Sequence, residues 1–370
     1  MELRTPLGCR DILADDCMKR DALCTNILQT FERFGFRKVQ TPAMEYYQTY
    51  NQAFASLQDG QIIKLIDGNQ DILSLRLDMT VPIARLAATA LKNAQFPLRL
   101  CYQSDVWKVR KAFTGRSSQS TDCGVELIGS RDDHEIVICA LEALKSIGLD
   151  RIRLEFSDAR LVSLPASHVF SDPEDIARLS DLIDRKSMVE LGAFLDEKKL
   201  EKTVRDYFLN LPLLDGGVEV LDAARSLSFD AAILPVLDEL EELMVFLERL
   251  GYGEYIGLDL GKLPHLNYYT GLIFEGFAEG AAVSILSGGR YDHLMAAFGS
   301  DHPAIGFAFK IDPLAELMPD PEKKDPVKIS YPLRFEAEAY AAAGNARKTA
   351  PLIMERNDDL EEIVLEGEFE

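Results

Sequence analysis

The 370-residue sequence predicts an α+β protein: an antiparallel sheet flanked by helices, with a helical insertion and a short C-terminal α/β remnant. Three observations predict it. Up to about residue 164, strand-like segments alternate with turns and short helices, the mark of an antiparallel sheet with helices against it. From 165 to 250 the apolar period is helical, as in "DPEDIARLSDLIDRKSMVELGAFL" and "FDAAILPVLDELEELMVFLERLG". Beyond 250 strand patterns return, and a charged, Pro-containing link, "DPEKKDPVK", precedes the last residues. The expected organisation is a core of residues 1–164 and 251–320, a helical insertion of 165–250 and a β–α–β remnant of 327–370.

Each element has a local reason. Residues 15–34 are expected to form a helix, because Cys24, Ile27, Phe31 and Phe34 recur at helical spacing. Asp15 or Asp16 is expected to cap it and Gly35 to end it. "FRKVQTP" reads as a short strand closing at Pro42. Residues 62–78 read as a hairpin turning at Asp67-Gly68. In its second strand Leu73, Leu75 and Leu77 face one side, and Ser74, Arg76 and Asp78 the other. A helix over 79–92, a strand from Leu98 to Trp107 and the polar loop "KVRKAFTGRSSQS" follow. Next come the strand "CGVELIG", a helix from Asp133 to about Ile147 and the strand "IRLEF". After the insertion, strands are expected at 255–260, 266–277, 281–287 and 304–310.

Composition narrows the function classes. The chain is 47% hydrophobic and 27% charged, as an ordinary globular protein is. No apolar run reaches the ~20 residues that cross a bilayer, and the N-terminus has no apolar signal core, so a cytoplasmic location and no membrane partner are expected. The net charge of −21 opposes binding of nucleic acid, whose phosphates call for a basic face. The six cysteines form no C-x-x-C pair and read as reduced structural thiols. None of the five histidines stands at ligand spacing to another, so no metal site is expected.

Six phrases occur in register: "TPLGCRDIL" (5–13), "FERFGFRKVQTPAME" (31–45), "LRLDMTVPIAR" (75–85), "GRSSQSTDCGVELIG" (115–129), "YYTGLIFE" (268–275) and "SGGRYDHL…PAIGFAF" (287–309). In this order they resemble the catalytic domain of histidyl-tRNA synthetase, a class II aminoacyl-tRNA synthetase, over about residues 5–320. The resemblance implies a six- to seven-stranded antiparallel sheet flanked by helices. It also implies a dimer built around the first long helix and the strand ending at Pro42.

The residues that such an enzyme uses to grip ATP are altered. Adenylation joins two anions, so cations must offset the charge of the transition state. With the "GVELIG" strand as anchor, the second-motif arginine of the family falls on Lys108, and the acid two positions on becomes Arg110. The histidine-specific arginine falls on Pro264 and its neighbouring aspartate on Asn267, while the third-motif arginine falls on Pro313. Lysine keeps charge but loses the guanidinium fork, and proline has neither charge nor N–H. Each lost donor slows such a reaction by about 100–1,000-fold, so no catalytic residues and no cofactor are expected.

The amino-acid pocket implied by the family pattern comprises Asp78, Thr80, Asp122, Glu126, Tyr268, Tyr269 and Tyr291. Its carboxylates suit an ammonium or an imidazole N–H, and its tyrosines supply apolar walls with polar tips. Asp122 stands where the family has glutamine. Lys108, Arg110, Lys111 and Arg116 cluster in a loop with Gly115 and are candidates for an anion or partner contact. Gly288 and Gly289 are read as points of close backbone approach.

A synthetase-like scaffold without the adenylating cations, followed by only about fifty mostly acidic residues, resembles the regulatory subunits of ATP phosphoribosyltransferase. That resemblance implies a non-catalytic subunit for the first step of histidine biosynthesis and its feedback by histidine. The implied partners are a short-form catalytic ATP phosphoribosyltransferase subunit in a hetero-octamer, a second copy of the chain, and histidine as effector. The alternatives are a divergent histidyl-tRNA synthetase and a stand-alone histidine-binding sensor.

Overall fold

The computed structural model describes residues 3–53, 62–109, 117–263, 269–320, 327–347 and 351–366. The chain divides into two compact units, Met1–Met318 and Pro319–Glu370.

The first unit opens with α1 (Ala14–Arg33), β1 (Arg37–Lys38), β2 (Met44–Tyr46), α2 (Tyr47–Ala53), β3 (Lys64–Ile66), β4 (Ile72–Leu75) and α3 (Thr80–Ala88). It continues with β5 (Leu98–Trp107), β6 (Gln119–Ile128), α4 (Asp133–Ser146) and β7 (Ile152–Asp158). The helical segment holds α5 (Arg160–Val169), α6 (Pro173–Asp184), α7 (Met188–Glu197), α8 (Lys202–Asn210), a two-residue strand β8 (Asp215–Gly216), α9 (Glu219–Leu227) and α10 (Leu234–Arg249). Then come β9 (Ile256–Asp259), β10 (Leu272–Ala278), β11 (Leu286–Arg290), α11 (Asp292–Ala297), β12 (Ala304–Lys310) and α12 (Ile311–Leu317).

These strands form a nine-stranded sheet ordered β1-β5-β6-β12-β11-β10-β7-β9-β8 and a three-stranded sheet ordered β2-β4-β3. The large sheet is wider than the expected six or seven strands, because short strands extend both ends. It is not wholly antiparallel either: β1 joins β5, and β9 joins β7, in parallel. A parallel pair needs a long crossover. The helical segment supplies it, leaving β7 and returning at β9.

The strand pleat sorts the core into two. On β5, Leu98, Leu100, Tyr102 and Val106 turn to one face, with α3 residues Val81, Ile83, Ala84 and Ala87. Cys101, Cys123, Val125, Leu127, Ile305, Phe307 and Phe309 turn to the other, against Leu23, Cys24, Ile27 and Phe31 of α1. Each fully buried Leu, Ile or Phe on that stripe contributes about 1.5–3 kcal/mol. Leu13 is the residue at the N-cap of α1 and makes no side-chain cap bond; Asp15 and Asp16 lie in the first turn, where they meet the positive end of the helix dipole. Gly35 follows the helix with φ of 79°, a conformation that costs glycine little.

The position of one strand differs from the reading of the sequence, and the small sheet shows which side of its hairpin is buried. The strand expected at 281–287 lies at Leu286–Arg290, since the glycine pair belongs to the ladder rather than to a turn. In the small sheet the polar side of β4 is the buried one: Ser74 is buried within the strand, and Arg76 and Asp78 are buried just beyond it. Long-range pairing is the reason. Glu45 on β2 is buried and accepts two bonds from the Arg85 guanidinium of α3, at 2.7 and 2.8 Å. Arg76 donates to the carbonyls of Asp105, Thr41 and Pro42.

The second unit contains β13 (Val327–Tyr331), α13 (Glu336–Ala346), β14 (Leu352–Arg356) and β15 (Val364–Glu366). Its sheet order is β14-β13-β15. Ile329, Tyr331, Ala339 and Ala343 form a small core of its own.

Candidate functional site

The α3-side face of the large sheet holds a cavity of about 140 Å³. Its floor follows from register. β6 and β12 pair so that Asp122 stands opposite Lys310, Gly124 opposite Ala308, and Glu126 opposite Gly306. On the other side of β6, Tyr102 of β5 pairs with Gly124. Small residues at the centre of this patch leave the hollow. A Cβ built on Gly306 would lie 1.9 Å from Oε2 of Glu126 and 2.5 Å from the carbonyl of Val125, so only glycine lets the carboxylate lie down there. Gly289 does the same for Tyr269, whose ring would sit 2.6 Å from an added Cβ. Gly288 allows close approach of β12, as its spacing predicts: a Cβ would come within 2.6 Å of the Gly306 carbonyl.

The walls carry the chemistry. Asp78, Thr80, Lys108, Ser120, Asp122, Glu126, Tyr269, Ser287, Tyr291 and Lys310 all border the cavity. Glu126 is fully enclosed: Oε1 accepts from the Thr80 hydroxyl at 2.8 Å and Oε2 from the Tyr291 hydroxyl at 2.5 Å. Burial still pushes its carboxyl up to about 8, against those two bonds. Burial likewise raises Asp78 to about 6, opposed chiefly by the Lys108 ammonium. Asp122 is raised to about 6 by burial, opposed by Lys108 and Lys310. Oδ1 of Asp78 accepts from the Val81 N–H at 3.3 Å, whereas Oδ2 is buried without a hydrogen-bond partner among the described residues. Lys310 donates to the Ser284 hydroxyl at 2.6 Å, and burial lowers its affinity for a proton.

The structure therefore brings together Asp78, Thr80, Asp122, Glu126, Tyr269, Tyr291 and Lys108. Tyr268, Arg110, Lys111 and Arg116 lie outside the described residues, as do Pro264 and Asn267. Reading the sequence singled out neither Lys310 nor Tyr102 as a site residue. Both stand at even positions of alternating strands, but only the register with Asp122 and Gly124 puts them at the cavity. No arginine borders the cavity among the described residues. Arg20 does reach Asp312, beside Pro313, and the Thr121 hydroxyl, but it comes from α1, on the opposite side of the sheet.

Three carboxylates, two ammonium groups and tyrosine walls form a mixed-charge pocket of small size. It can hold a compact zwitterion: Asp78 offers an unused acceptor to an ammonium, and the two lysines offer donors to a carboxylate. Metal ligation has no comparable basis, since no cluster of three metal-ligating side chains occurs among the described residues. No described helix is long and apolar enough to cross a membrane.

Comparison with known proteins places this geometry. The family model described as histidyl-tRNA synthetase matches residues 8–314. The ATP phosphoribosyltransferase regulatory subunit of Clostridium kluyveri is 35% identical over 353 residues, covering 93% of this chain and 90% of its own. A solved ATP phosphoribosyltransferase regulatory subunit/histidyl-tRNA synthetase from Bacillus halodurans matches with a TM-score of 0.86 at 30% identity, over 98% of this chain and 95% of that one. Histidyl-tRNA synthetase from Nostoc sp. PCC 7120 shares the fold, with a TM-score of 0.78 at 20% identity over 98% of this chain and 88% of that one.

Proposed function

The chain belongs to the family of ATP phosphoribosyltransferase regulatory subunits, built on the histidyl-tRNA synthetase fold, and from that premise we propose how it regulates. It serves histidine biosynthesis as the partner of a catalytic ATP phosphoribosyltransferase of short form. It works as a dimer within a hetero-octamer. The cavity at Asp78, Asp122 and Glu126 takes the effector, an amino acid, and histidine is the one this pathway presents.

One observation supports the pocket assignment above the others: the orphaned Oδ2 of Asp78, buried at the edge of the polar cluster. A buried acceptor without a donor costs about 1–3 kcal/mol, and a ligand ammonium would relieve it. Lys108 and Lys310 would then hold the carboxylate, and Glu126 or Asp122 the imidazole N–H. Histidine regulates only to the extent that it binds the inhibited assembly more tightly than the active one.

The same geometry supports a non-adenylating role. The cavity is bordered by two lysines and, among the described residues, by no arginine. A lysine offers one point charge, not the forked donor that clamps a phosphate. The test uses the purified chain with and without the short phosphoribosyltransferase. The expected results are restored turnover in the mixture, its suppression by histidine, and no histidine-dependent ATP–pyrophosphate exchange by the chain alone. Measurable exchange would instead establish a divergent synthetase. Histidine binding with no capture of the phosphoribosyltransferase would establish a stand-alone sensor.

A further inference from the structure

The segment Thr5–Cys9 lies ahead of α1 and borders no part of the cavity itself. It folds into a turn: the Cys9 N–H donates to the Pro6 carbonyl at 3.0 Å, and the Thr5 hydroxyl to the Cys9 carbonyl at 2.9 Å. Leu3 and Leu7 are 90% and 73% exposed, so apolar burial does not hold the segment in place. Its backbone does. The Gly8 carbonyl accepts from the Ser118 N–H at 2.7 Å and from the Ser117 hydroxyl at 2.9 Å. Glycine suits this contact. Its φ is 76°, and an added Cβ would collide with the Ser118 side chain, 2.9 Å from its Cβ, and would stand 3.1 Å from its amide nitrogen.

The anchor point is one step from the cavity. Ser118 accepts, through its own carbonyl, the Lys108 N–H at 2.8 Å, and the Trp107 N–H is held by the Arg76 carbonyl at 2.9 Å. Lys108 borders the cavity, and so do Ser120 and Asp122, the next residues on the alternation that starts at Ser118. The two cavity lysines are placed differently. Lys310 is tethered by its ammonium to the Ser284 hydroxyl. Lys108 makes no side-chain hydrogen bond among the described residues, so the position of its ammonium follows from where its backbone is held. A lysine is a point charge on a flexible stem. A shift of its root moves the charge, or adds to the entropy lost when a ligand orders the stem.

We infer, on the reading that this cavity takes an amino acid, that the segment Thr5–Cys9 is a strap that sets Lys108 against the effector's carboxylate, with Gly8 as the positioning residue. Gly8 holds Ser118, Ser118 holds Lys108, and the Lys108 ammonium meets the ligand. Recognition of the carboxylate thereby depends on the N-terminal segment, whereas recognition of the ligand's ammonium, at Asp78, does not.

The experiment titrates the full chain calorimetrically with histidine and with histidinamide, which keeps the ammonium and the imidazole and replaces the carboxylate by a neutral amide. Wild type is expected to prefer histidine by about 10- to 100-fold, as charge-assisted hydrogen bonds do. Lys108→Met and Gly8→Ala are each expected to cut that preference about tenfold, chiefly through weaker binding of histidine. The double variant Gly8→Ala/Lys108→Met is expected to cut it no further than Lys108→Met, because Gly8 acts through Lys108. Ser117→Ala removes one bond to the Gly8 carbonyl from an exposed position and serves if Gly8→Ala fails to fold; it is expected to cut the preference about threefold. A wild type that fails to bind histidine would overturn the cavity reading, and the strap with it. A wild type that binds both ligands equally would overturn the roles of Lys108 and the strap together. A preference left intact by Gly8→Ala and Ser117→Ala would overturn the strap alone. So would a Gly8→Ala variant that weakens both ligands equally, or a double variant that falls well below Lys108→Met.

Discussion

At the scale of single residues, the cavity turns on two acids with different roles. Asp78 has one oxygen tied to the Val81 N–H and one without a donor. Asp78→Asn keeps the shape and removes the charge. Histidine affinity is expected to fall about 10- to 100-fold by calorimetry, as the loss of a charge-assisted hydrogen bond of about 1.5–3 kcal/mol implies. Glu126 has both oxygens bonded by hydroxyls, and burial places its carboxyl at about 8 in the folded chain against an ordinary 4.5. Because the folded value is the higher one, the folded state holds the proton more tightly than the unfolded state. The associated stability is full below about pH 4.5 and is lost as pH rises through about 8. Glu126→Gln is expected to flatten that decline in urea unfolding curves taken between pH 5 and 9. A slope equal to the wild type's would show that Glu126 is ionised throughout.

At the scale of elements, β6 and β12 decide the site, and Gly306 is the point at which they do so. Gly306→Ala sets a methyl group 2.5 Å from a backbone carbonyl, which cannot swing aside as a side chain can. The expected cost is about 1–3 kcal/mol of stability, with histidine binding lost because Glu126 is displaced; thermal unfolding and calorimetry check both. The elements also show what a sequence makes legible. Leu98–Trp107 and Ala304–Lys310 are readable as strands because apolar residues at alternate positions, 98, 100, 102 and 106 in one and 305, 307 and 309 in the other, mark one side of each. Leu286–Arg290 was misplaced because glycines at 288 and 289 erase the pattern they belong to. In the hairpin the alternation was visible but its sense was not, since the buried side is set by the ion pair from Glu45 to Arg85, forty residues on. Asp78, Thr80, Asp122, Glu126, Tyr269 and Tyr291 were found from family phrases. Lys310 and Tyr102 required the cross-strand register, which no local window contains.

At the scale of the molecule, each of the two units has its own core. The first is large and closed around both sides of the nine-stranded sheet; the second is a small cluster of Ile329, Tyr331, Ala339 and Ala343. A chain ended at Met318 is therefore expected to keep its main thermal transition and its histidine binding, measured by scanning calorimetry and titration. Loss of that transition would show that the first unit depends on the second. The outermost strands of the large sheet, β1 and β8, are two residues long. Their unpaired amides and carbonyls are too few to template a further strand alongside them. A partner that meets β1 or β8 finds two residues of open backbone there and must fit against side chains, where shape and charge can discriminate.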